Sequence, residues 1–88
     1  MKINGILIHP GDNVAVALED MHAGDALNIR GRGSVDVLDD IPCGHKVAVE
    51  DIRAGSAVIK YGEAIARAAT DISRGRHVHT HNLATEDM

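Results

Sequence analysis

Hydrophobic and polar positions alternate along this chain in short runs, and each run is closed by a turn signal. In "NVAVALE" an extended backbone puts Val14, Val16 and Leu18 on one face. "KVAVE" does the same with Val47 and Val49, and "SVDVLD" sets Val35 and Val37 opposite Asp36. "SAVIKYG" adds the β-branched pair Val58 and Ile59, and "GRGS" at Gly31 to Ser34 has the composition of a hairpin turn. Strands of about five residues with turn signals every 8–12 or so predict a small all-β domain with little or no α-helix. One segment resists this pattern. "EAIARAATD", Glu63 to Asp71, is rich in good helix formers and by itself predicts a helix.

The turns belong to an internal repeat. Asp–(Ile/Met)–x–x–Gly occurs as "DMHAG", "DIPCG", "DIRAG" and "DISRG", starting at Asp20, Asp40, Asp51 and Asp71. An Asp carboxylate that accepts N–H groups two or three residues on starts a tight turn, and Gly ends it by tolerating positive φ. The intervening Ile or Met pins each turn to the core. Spacings of 20, 11 and 20 residues suggest two related halves. Repetition makes these four Asp residues structural, although composition alone would suggest catalysis.

Composition narrows the function classes. With 88 residues there is one domain, and with Tyr61 as the sole aromatic its core rests on Val, Ile, Leu and Ala. Tyr61 is expected to pack in that core or against a partner. A net charge of −4 without a basic run argues against nucleic acid. Lone Cys43 excludes an internal disulfide and fits a reducing cytoplasm. The apolar stretch in "MKINGILIHPG" is too short for a signal peptide or a membrane span, so a cytoplasmic protein is expected. The end of the chain, 84–88, reads as a polar tail after a domain at 1–83.

The candidate chemistry lies in "GRHVHTHNL". As a strand, this segment shows His77, His79 and His81 on one side. Cα atoms two apart lie about 6.6–6.8 Å from each other, close enough for two imidazoles to converge on one ion with bonds of about 2.0–2.1 Å. The alternatives are acid–base work, substrate hydrogen bonds, or a solvated edge strand. His9, before Pro10, reads as a turn residue; His22 and Cys43 occupy variable turn positions and read as exposed.

Three motifs taken together, "GHKVA" at Gly44, "VIKYGEAI" at Val58 and "HVHTHN" at His77, resemble the SAF domain of the altronate and galactarate dehydratases. The small subunit of sulfolactate sulfo-lyase is similar. The resemblance spans about Ile8 to Leu83 and implies a β-clip, a pleated fold of short strands, so "EAIARAATD" becomes strand and turn. It also implies a sugar-acid hydro-lyase that uses Fe(II) or Mn(II), in which this domain pairs with a much larger catalytic polypeptide and is inactive alone. In that setting His79 and His81 are the catalytic candidates, and His77, His79 and His81 the metal ligands. Lys46, Lys60 and His45 are the candidates for binding the anionic substrate. Alternation sets His45 and Lys46 on opposite faces. Assembly as a homo-oligomer, sulfite elimination, and a non-catalytic metal- or anion-binding module are the other readings.

Overall fold

The computed structural model describes residues 2–84. Its strands are β1 (Gly5–Ile6), β2 (Val14–Ala17), β3 (Ala26–Ile29), β4 (Gly33–Asp36), β5 (Lys46–Ala48), β6 (Ala57–Lys60), β7 (Glu63–Ala68), β8 (His77–Val78) and β9 (Leu83–Ala84). Among the described residues the only helical segment is a three-residue 3-10 turn, Thr80–Asn82. The larger sheet runs β4-β3-β1-β2-β5-β8 and the smaller β6-β7-β9. The fold is all-β, as the turn spacing predicts. Of the tail expected at 84–88, Ala84 belongs to β9 and 85–88 lie outside the described residues.

Glu63–Ala68 is strand β7, paired on both sides, with β6 and with β9. Ladder bonds to two neighbours outweigh the modest helix preference of alanine. The "GRGS" turn joins β3 to β4, with Ile29 opposite Gly33. The corresponding β6–β7 turn holds Tyr61 and Gly62 at φ 58 and 75, two positive values in succession. That combination fits the right-handed twist of a tight hairpin.

The four Asp turns associate in pairs, and here the sequence expectation needs correcting. The carboxylates do not cap their own turns. Asp20 accepts from the N–H of Cys43 (2.8 Å) and Asp40 from that of Ala23 (3.1 Å). Asp51 accepts from Arg74 and Asp71 from Ala54, each at 2.8 Å. Reciprocal main-chain bonds bind Met21 to Ile41 and Ile52 to Ile72. Each turn is therefore closed by the turn 20 residues away, and the two pairs repeat at an offset of 31 residues (Asp20 to Asp51, Asp40 to Asp71). Asp51→Ala should cost about 1 kcal/mol and lower the Tm by about 4–8 °C, with Asp51→Asn milder, as thermal melts would show.

Two apolar clusters fill the interior. One gathers Met21, Leu27, Ile29, Val35, Val37 and Ile41; the other gathers Ile52, Val58, Ala68, Ile72 and Val78. β2 and β5 run between them and feed both. Ala15, Ala17, Val47 and Val49 join the first cluster, Val14 and Ala48 the second. The expected Val14–Val16–Leu18 face is thus only partly internal: Val16 is half-buried and Leu18 exposed. Side chains buried on both faces of a strand erase the alternation that a one-sided strand would show.

Candidate functional site: an imidazole cluster

β8 carries His77 beside β5, with Val47 opposite it. The main-chain N–H of His77 donates to Asp39 Oδ2 (2.9 Å), and Arg76 Nη1 donates to Asp39 Oδ1 (2.8 Å). Burial works against the Asp39 carboxylate, but these N–H donors outweigh it and hold its pKa below the usual carboxylate value. After Val78 the chain leaves the sheet. His79 is still extended, and His81 rides on the 3-10 turn Thr80–Asn82. The three histidines therefore do not share one strand, contrary to the sequence expectation.

Buried Asn82 sets this departure. Its Oδ1 accepts from the His79 N–H (3.0 Å) and its Nδ2 donates to the His77 carbonyl (2.8 Å). One side chain thereby clasps the backbone on both sides of Val78 and curls His81 back. The outcome is still a cluster. The His77 ring centroid lies 5.4 Å from that of His79 and 5.3 Å from that of His81.

His45 completes the group. It follows the Gly44 turn and brings Nδ1 to 2.8 Å from His77 Nε2, a hydrogen bond between two imidazoles. Its ring stacks on His79 with centroids 4.5 Å apart and planes 8° from parallel. Burial, then the neighbouring His45, His81 and His79, pushes the His77 pKa below the ordinary imidazole value; Asp39 opposes this more weakly. The shift favours the neutral form of the His77 ring.

Lys46 is half-buried, and burial followed by the charge of Lys60 lowers its pKa. Lys60 Nζ sits 4.7 Å from the centroid of the Tyr61 ring. Among the described residues neither lysine is paired with a carboxylate. Two unpaired cations whose fields overlap are suited to an anion. Tyr61 itself is 57% exposed, so it is not a core residue.

As for metal ligation, no group of three or more His, Cys, Asp or Glu among the described residues is arranged to hold an ion. Stacked rings place their nitrogens side by side, whereas ligation needs them aimed at one point. This arrangement does not by itself form a coordination sphere.

Three important residues escaped the sequence reading. Asp39 and Asn82 shape the histidine segment. Asp12, only 2% exposed, accepts from the N–H groups of His9, Tyr61 and Gly62 at 3.1, 3.1 and 2.8 Å. It ties "HPGDN" to "VIKYGEAI". His9 is a turn residue, with Nδ1 accepting from the Gly11 N–H, and His22 and Cys43 are exposed.

Comparison with known proteins agrees with the resemblance carried by the motifs. Residues 3–86 match the altronate/galactarate dehydratase SAF domain. Over 80 residues the chain is 45% identical to altronate dehydratase of Bacillus subtilis (strain 168) and 46% identical to that of Escherichia coli (strain K12). These matches cover 91% of the chain but 16% of each enzyme. The (2R)-sulfolactate sulfo-lyase subunit alpha of Paracoccus pantotrophus is 53% identical over 47 residues, covering 53% of this chain and 70% of that subunit. The chain belongs to the SAF-domain family of the altronate/galactarate dehydratases.

Proposed function

We propose that this chain supplies an imidazole-bearing wall to the active site of an altronate-type sugar-acid hydro-lyase, closed by a larger catalytic polypeptide. The observation that carries this reading is the gathering of His45, His77, His79 and His81 from two separate segments. Dehydration of a sugar acid to a 2-keto-3-deoxy acid removes a weakly acidic proton beside a carboxylate and expels hydroxide. His79 and His81 are assigned that proton traffic: a neutral imidazole accepts, and an imidazolium protonates the departing oxygen. His77, bonded to His45, sets the position of the other rings. Lys46 and Lys60 hold the substrate carboxylate, with His45 as a further hydrogen-bond donor.

A divalent cation, Fe(II) or Mn(II), would stabilise the enediolate when bound. If it were held here, His77, or whichever of His79 and His81 does not carry the proton, would supply part of its coordination, and the larger polypeptide would supply the rest. Exposed Cys43 suits a reducing cytoplasm.

The test is reconstitution with the larger polypeptide. The chain alone should show no turnover. In the assembly His79→Ala and His81→Ala should each lower kcat by roughly 10²–10⁴-fold, the usual worth of a general acid or base, with the thermal melt little changed. Undiminished turnover by both variants would refute the assignment. A second reading, sulfite elimination from sulfolactate, is favoured by the match covering 70% of a sulfo-lyase alpha subunit, a relative of similar compass. Assays on altronate, galactarate and sulfolactate separate the two.

A further inference from the structure

Below His81 an open cleft of about 410 Å³ is lined by Asp39, Thr70, Asp71, Ser73, Arg76 and His81. Its volume falls within the roughly 300–1,000 Å³ of small-molecule sites. Its charge is one-sided. Two carboxylates face one guanidinium, and that guanidinium already spends Nη1 on Asp39. Asp71 uses Oδ1 on the Ala54 N–H, while its Oδ2 has no hydrogen-bond partner among the described residues. Ser73 Oγ has none either, and Thr70 Oγ1 makes only a long 3.4 Å contact to the Asp71 carbonyl. The wall thus offers carboxylate acceptors and hydroxyl groups, with no uncommitted lysine and a net negative field.

Such a wall suits a ligand segment that carries hydroxyls and no charge. We propose that this cleft seats the hydroxyl-bearing end of a monocarboxylate sugar acid and selects against diacids. The proposal rests on the lyase reading and adds substrate class and orientation to it. The reacting carbons lie at the imidazoles and the tail runs past His81 into the cleft. There its hydroxyls donate to the free Asp71 oxygen and accept from Thr70 and Ser73. The single carboxylate stays outside the cleft, whose one guanidinium, that of Arg76, is already paired with Asp39. A diacid would bring its second carboxylate against Asp71. At a separation of a few ångströms in a partly hydrated site, that repulsion amounts to about a fivefold to tenfold loss of affinity.

The isolated 88-residue chain, labelled with ¹⁵N, can be titrated with gluconate and with glucarate at matched ionic strength. Gluconate should shift the amides of Thr70, Ser73, His81 and Asn82 with an affinity about fivefold or more above that of glucarate. Asp71→Asn keeps the acceptor for Ala54 and removes the charge, so it should narrow the gap. Equal or tighter glucarate binding, or no shifts at these amides, would overturn the proposal. Turnover by the assembly supplies the independent arm. A chain with the monoacid preference inside an assembly that dehydrates no sugar acid would sink the lyase reading and leave the cleft standing. An active assembly whose kcat/KM favours diacids, with no response to Asp71→Asn, would do the reverse.

Discussion

Replacing Asp12 with alanine is expected to cost about 3–5 kcal/mol, a large share of the stability of a domain this size. The carboxylate is almost fully buried and receives three main-chain N–H groups from two segments distant in sequence. Alanine leaves those donors unpaired, and a hydrogen bond to a charged group is worth about 1.5–3 kcal/mol. The Tm should fall by roughly 15 °C or more. The same geometry sets a pH dependence. Burial raises the pKa of Asp12, but the N–H groups of Gly62, Tyr61 and His9, aided by the His9 charge, outweigh it and lower the net value below 3.8. A carboxyl whose folded pKa is depressed contributes fully above its unfolded value and loses that contribution as pH falls through the folded one. Denaturant melts at pH 7 and from pH 5 to 2 should show the wild type losing this increment in acid. Asp12→Ala should lack it throughout, and a variant melting with the wild type at neutral pH would contradict the account.

Gly75→Ala should be nearly as damaging, and for a different reason. Gly75 has φ 94, where an L side chain is strained, and a Cβ there would lie 2.3 Å from the carbonyl oxygen of Asp36. Its neighbours have little room to yield: the Leu38 N–H donates to Gly75 and the Gly75 N–H donates to Ala48. Gly44 provides the control. It occupies the equivalent place in the first half, with φ 88, yet nothing lies within 4 Å of its Cβ position. Gly44→Ala should cost only the backbone strain, about 1–2 kcal/mol, and Gly75→Ala at least about 3 kcal/mol with displacement of the segment leading into His77. Chemical denaturation gives the two values. Equal losses would show that the contact with Asp36 relaxes freely.

The repeat, the hairpins and the β character were legible because turn chemistry is local: an Asp at one end, a Gly with positive φ at the other. The carboxylates' true partners were not. Asp20 and Cys43 are far apart along the chain, and only tertiary pairing brings them together. The same limit hid the fate of "NVAVALE". Alternation ranks Val16 and Leu18 above the alanines between them, but a strand wedged between two clusters buries Ala15 and Ala17 and leaves Leu18 outside. Glu63–Ala68 became a strand because two neighbours offered it ladders, a fact outside its own composition. At the histidines, the spacing announced a cluster but assumed a straight ribbon. Asn82, one polar residue past the last histidine, bends that ribbon, and nothing in its identity distinguishes it from an ordinary turn residue. His45 joined the group through the pairing of β5 with β8, which no motif reveals.

The placement of the lone phenol ring has a practical corollary. With no indole or phenyl inside and Tyr61 turned outward under Lys60, the interior is optically silent near 280 nm. Emission from this protein will report little of the melting of its core. It will instead register whatever comes to rest against the β6–β7 turn, which makes the native chain a ready-made optical probe of encounters at that corner.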